Sequence, residues 1–89
     1  MTTMWLLLAK YQGDSLIPVE RVANDFFAVK DPSGMPRFLR KLEAGEIPLP
    51  VVRMERSQKG AKMIDLRDLA AFLDERRAAA QKELRQLRA

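Results

Sequence analysis

Apolar positions along this chain follow a helical period in three stretches and a strand-like pattern in one. The opening run fits either. From Pro18 onward, Val19, Val22, Ala23, Phe26 and Phe27 fall at i, i+3, i+4, i+7 and i+8, which predicts a helix beginning near Pro18. A second helix of roughly ten residues is predicted from Met35, because Met35, Phe38, Leu39 and Leu42 share one face. Ser33 is its expected N-cap, Pro36 suits the first turn, and Gly45 fits the left-handed position past the end. The first helix should pack its stripe against Phe38, Leu39 and Leu42. The third helix is predicted from Asp65 as N-cap, with Asp68 three residues on. Leu66, Leu69, Ala70 and Leu73 face inward there, with Phe72 beside them. Beyond Arg76 only Ala80, Leu84 and Leu87 continue a narrow stripe. That tail reads as a frayed end, a dimer contact or a handle for another protein. A spacing near seven hints at a coiled-coil seam, with Arg76 falling on it.

Residues 2–11, TTMWLLLAKY, are read less easily. With period two, Trp5, Leu7, Ala9 and Tyr11 share a face. With period 3.6, Thr3 could cap a short helix ending near Gly13. The expectation taken forward is a strand covering one side of the core, with Trp5 and Tyr11 as core and rim residues. Gln12–Ser15 is a turn signal, and Ala28–Gly34 is the turn between the first two helices. That second turn is longer than the tight link of the simplest helix-turn-helix. Pro48 and Pro50 exclude helix after Gly45. Val51–Met54 then reads as a strand, Glu55–Lys62 as a polar hairpin tip, and Met63-Ile64 as the returning strand. The expected fold class is therefore small α+β, a winged helix-turn-helix with three helices and a β-hairpin wing.

Eighty-nine residues with 47% hydrophobic content make one folded domain, residues 1–89. Charge sharpens the picture, because the net +4 is uneven. Residues 1–34 are net −1, residues 35–67 net +4, and residues 68–89 net +1. The excess sits where a polyanion footprint would need it. On the second helix Arg37, Lys41 and Ala44 form the stripe opposite the apolar face, with Arg40 beside it. Arginine can fork onto guanine edges or phosphates, and lysine acts more as a point charge. The hairpin adds Arg53, Arg56, Lys59 and Lys62, with Ser57 and Gln58 as hydrogen-bonding groups. A solvated surface is the commonest reason for any one of these charges. A basic helix followed by a basic hairpin is the order in which a winged module meets DNA.

Several functions are disfavoured. There is no cysteine and no histidine, so disulfides, thiolate metal sites and the commonest general base are absent. The glycines are scattered rather than gathered in a phosphate loop. Ser15, Ser33 and Ser57 have no histidine to activate them. The carboxylate pairs Asp65/Asp68 and Asp74/Glu75 suit helix starts and solvated faces. No signal peptide or membrane span is expected, since Met4–Ala9 is short and ended by Lys10. The expectation is a cytoplasmic non-enzyme with no cofactor and no small-molecule ligand.

The chain also resembles the pyocin activator protein (PrtN-type) family, small regulators of bacteria and prophages. The likeness lies in Phe38-Leu39-Arg40-Lys41, in Ala44–Glu55 (AGEIPLPVVRME), and in Ser57-Gln58-Lys59. Ile17–Glu20, Asp68-Leu69-Ala70 and Asp74–Arg77 extend it, so it covers roughly Leu6 to Glu83. The resemblance implies a transcriptional activator acting upstream of phage-tail-like bacteriocin or prophage genes. It also implies kinship in shape with phage excisionases. Arg40 and Lys41 would lie on the helix entering the groove, and Ser57, Gln58 and Lys59 on the wing. Expected partners are double-stranded DNA, a second copy of the chain and RNA polymerase. Two other readings stay open: an excisionase-like factor that bends DNA, and a protein-interaction module acting through the C-terminal helix.

Overall fold

The computed structural model of the chain describes residues 2–57 and 60–88. The order of elements is α1 (Thr3–Lys10), β1 (Leu16–Pro18), α2 (Val19–Phe26), a 3-10 turn (Pro32–Gly34), α3 (Met35–Glu43), β2 (Val52–Arg53), β3 (Lys62–Asp65) and α4 (Leu66–Arg88). This is a small α+β fold of four α-helices and one three-stranded antiparallel sheet among the described residues. The strand order is β1-β3-β2. Ile17 stands opposite Ile64, and Val52 opposite Met63.

Residues 3–10 form a helix, not the expected strand, so there are four helices rather than three. The cause is a 3.6-residue stripe that the alternation of Trp5, Leu7, Ala9 and Tyr11 conceals. Leu7 and Tyr11 are buried and Met4 and Leu8 half-buried, at i, i+3, i+4 and i+7. The cap is Thr2, whose hydroxyl accepts from the Trp5 N–H at 3.3 Å, rather than Thr3. Trp5 points outward and is 68% exposed, so it is neither core nor rim.

Tyr11 ties α1 to α2. Its hydroxyl donates to Asp25 at 2.7 Å, and the Arg21 guanidinium lies 4.7 Å from its ring centre. Burial, then the Asp25 carboxylate, pushes the phenol well above its usual range. The hydrogen bond from Tyr11 in turn holds Asp25 below the ordinary carboxylate value, with help from Lys10 and Arg21. Thr3 donates to Asp74 and thereby joins the start of α1 to the middle of α4.

The α2 stripe is as the spacing requires: Val19, Val22 and Ala23 are buried, and Phe26 and Phe27 half-buried. Phe38 and Leu42 of α3 are buried, and Met35 and Leu39 half-buried. The Phe27 ring lies 4.9 Å from Phe38 and 5.7 Å from Phe72, so it links the α2 end to both α3 and α4. Each fully buried aliphatic or aromatic side chain in such a core contributes about 1.5–3 kcal/mol.

Ser33 does not cap α3. It lies inside the 3-10 turn, where the Asp31 carboxylate accepts its N–H at 3.1 Å, and Gly34 precedes the helix without a side-chain cap. The helix ends as predicted. Gly45 has φ +76°, and the Glu46 N–H reaches the Lys41 carbonyl at 3.0 Å. Asp65 accepts the Arg67 N–H at 2.8 Å and so caps α4. Hydrogen bonds from the Arg67 side chain and backbone hold the Asp65 carboxyl below its usual value. Strand β1 was not expected. It is three residues long and is recruited by β3 rather than by any pattern of its own.

Candidate nucleic-acid interface

The apolar face of α3 is fixed by Phe38 and Leu42, which turns the opposite face outward. Arg37 and Arg40 are exposed there and Lys41 is half-buried. Together with Ala44 and Glu46 they line an open concavity of about 380 Å³. None of Arg37, Arg40 or Lys41 makes an ion pair among the described residues. Ala44 is exposed at the end of this face, so nothing bulky obstructs a close approach.

The hairpin stands beside α3. Leu39 of α3 and Gly60, Ala61, Lys62 and Met63 of the hairpin share one concavity of about 360 Å³ with Pro18–Glu20. Lys62 is half-buried at its base, and Arg56 and Ser57 are exposed towards its tip. Gln58 and Lys59 lie outside the described residues. The tip closes tightly: the Met54 N–H bonds the Ala61 carbonyl at 3.1 Å and the Gly60 N–H the Ser57 carbonyl at 3.0 Å. A Cβ on Gly60 would lie 2.9 Å from the Glu55 Cβ, so this position needs glycine for space. Arg53 differs from the other cations. Its guanidinium lies 3.6 Å from the Glu43 carboxylate, which ties β2 to the end of α3. Both partners are largely solvated, so the pair is worth about 0–1 kcal/mol and acts more as a tether than as a source of stability.

Reading the sequence did not single out Lys30 or Glu43, and it singled out Ser33 only as a helix cap. Lys30 and Ser33 line a groove of about 420 Å³ with Arg37 and Lys41, floored by Phe27, Phe38 and Ile47. Lys30 also donates to the Asn24 carbonyl at 2.8 Å. Periodicity assigns no face to a residue in a turn, so it gave no signal that Lys30 or Ser33 lines this groove. Glu43 was legible only as part of a charged helix end. Among the described residues no cluster of acidic side chains could hold a metal ion, and no helix is long and apolar enough to cross a membrane.

Comparison with curated proteins and with solved structures gives no match. The family model described as pyocin activator protein PrtN matches residues 3–80, a span that runs from α1 through both strands of the hairpin to the middle of α4. With α3, the hairpin and the core that orients them all inside that match, the chain belongs to the pyocin activator protein PrtN family.

Proposed function

We propose that this protein is a winged helix-turn-helix regulator that binds double-stranded DNA and activates pyocin or prophage genes. In this reading α2 supports, α3 enters the major groove, and the β2–β3 hairpin is the wing. Arg37, Arg40 and Lys41 sit in or over the groove. Arg56, Ser57 and Lys62, with Gln58 and Lys59, grip phosphates or the adjacent minor groove. Arg53 reaches the duplex only by leaving Glu43. RNA polymerase is the second partner an activator requires. The observation that carries the reading is the outward face of α3, where three neighbouring cations have no ion-pair partner among the described residues. Cations left in that state are what counterion release on a polyanion uses.

The test is Arg40→Ala, measured on a specific site and on random DNA. Loss of about 1–3 kcal/mol on the specific site alone marks base reading. Equal loss on both marks a phosphate clamp. No loss on either removes α3 from the interface and refutes the reading. With about five phosphate contacts, the log–log salt slope per module should be near −4.5.

A further inference from the structure

Among the described residues, four of the five large hydrophobic side chains left exposed lie on two elements. Trp5 and Leu6 are on α1, and Leu84 and Leu87 on the distal part of α4. The core stripe of α4, Leu66, Leu69 and Leu73, continues in phase through Arg77, Ala80, Leu84 and Leu87. In its proximal part this stripe has a cover. The helix α1 runs antiparallel to α4, with Thr3 bonded to Asp74 and the Ser15 carbonyl accepting the Leu66 N–H. Beyond Asp74 the stripe lies in solvent. The remaining turns project about 20 Å. They give the molecule a 50 Å long axis against 28 and 22 Å across.

We propose that this projecting face is a homodimer interface, in which the distal α4 segments of two copies pack antiparallel about a two-fold axis between Ala78 and Ala79. From Leu73 to Leu87 the spacing alternates four and three, the repeat of a coiled-coil seam. Charge selects the orientation. A parallel pair would set Arg77 against Arg77 of the second copy inside the seam. The antiparallel pair sets Arg77 against Ala80, whose small side chain lets the arginine stem reach water. It sets Leu84 on Leu73, and it brings Arg76 opposite Glu83 at the flank, twice by symmetry. Neither Arg76 nor Glu83 has an ion-pair partner among the described residues. The last turn of each copy, carrying Leu87, then arrives alongside α1 of the other, where Trp5 and Leu6 are exposed. One arrangement thus covers all four side chains. The seam is short, so association is weak and concentration-dependent. The two α3–hairpin surfaces would be related by the same axis, which suits an inverted repeat. The dimer itself does not rest on the DNA-binding reading.

The experiment is sedimentation equilibrium of the full chain over a wide concentration range, with fluorescence of Trp5, the sole tryptophan. A monomer–dimer equilibrium is expected, with Trp5 emission shifting to the blue as dimer forms. Leu84→Glu should be monomeric with its helical circular dichroism intact, because Leu84 is exposed in the single chain. Arg76→Glu should weaken the dimer about tenfold, and the double variant Arg76→Glu, Glu83→Arg should restore it. A monomer at every concentration, or a dimer indifferent to Leu84→Glu, overturns the proposal. A dimer weakened by Glu83→Arg but untouched by Arg76→Glu overturns the antiparallel register, and an unshifted Trp5 overturns the contact with α1.

Discussion

Replacing Tyr11 with Phe removes one oxygen from the joint between α1 and α2 and leaves the packing almost unchanged. The phenol donates to Asp25 at 2.7 Å from a side chain that is 1% exposed. Hydrogen bonds to a charged group contribute about 1.5–3 kcal/mol. The low end applies here, because Lys10 and Arg21 remain 3.8 and 3.9 Å from Asp25 and keep its charge compensated. A loss of about 1.5 kcal/mol at pH 7 corresponds to a fall in Tm of roughly 6–12 °C for a domain of this size. The pH dependence is the sharper test. The phenol pKa is raised in the folded state, so its contribution is complete below the unfolded value near 10 and is lost as pH rises above it. Each pH unit in that window removes about 1.4 kcal/mol from the natural chain and nothing from the variant. The chain has one tyrosine, so the difference isolates this group. The two stabilities should therefore converge near pH 11. Asp25 has the opposite sign: its depressed pKa gives stability present above about pH 4 and lost as pH falls through the folded value. The gap should narrow there too, because Tyr11 is the main cause of that depression. Urea unfolding followed by circular dichroism across the pH range measures the difference. A gap absent at pH 7, or one that stays constant to pH 11, would refute the assigned hydrogen bond.

Backbone sign gives a paired test at two positions. Gly45→Ala, at φ +76° with open space for a Cβ, should cost about 1–2 kcal/mol in thermal unfolding, whereas Ala28→Gly, at φ +58°, should gain about 1 kcal/mol. Glu43→Gln frees Arg53 from its carboxylate and removes a negative charge from the end of α3. Binding titrations with that variant should show severalfold higher DNA affinity and a salt slope steeper by about 1, and a drop in affinity would mean that the pair positions Arg53 instead.

The helices that carry a full stripe were legible in the sequence, and the reason is physical. α2, α3 and the first half of α4 each bury one face on a common core, so their periodicity records the burial. The caps at Gly45 and Asp65 were legible for the same local reason, since a positive φ and an orphan N–H each select few residue types. The misreadings came where the local signal is short or belongs to another element. In eight residues α1 makes barely two turns, and Leu6, Trp5 and Ala9 add apolar character on its solvent side, which blurs the stripe. Strand β1 exists because β3 presents an edge to it. Ser33 had the right residue type in the wrong position, because Asp31 opens the 3-10 turn two residues earlier. The basic residues of α3 were legible as a face. The tether from Arg53 to Glu43 was not, because it joins residues brought together only when the hairpin folds back.

Several carboxylates of this fold are engaged in a way that the cations of α3 are not. Asp25 holds Tyr11 with Lys10 and Arg21, Asp31 holds the turn before α3, Asp65 caps α4, Asp74 holds Thr3, and Glu43 holds Arg53. These carboxylates fasten one element to another or close a local turn. The cations of α3 differ: Arg37, Arg40 and Lys41 crowd one face with no carboxylate bound to them among the described residues. Like charges at that spacing repel, which destabilises the isolated protein slightly. Folding alone gives no reason to gather them there, since alternating signs would solvate the helix equally well. A polyanion laid along α3 would convert that repulsion into attraction, against the single carboxylate of Glu46 that lines the same concavity. The same reasoning makes the distal half of α4, whose Arg76 and Glu83 have no ion-pair partner among the described residues, a second, separate surface awaiting its complement.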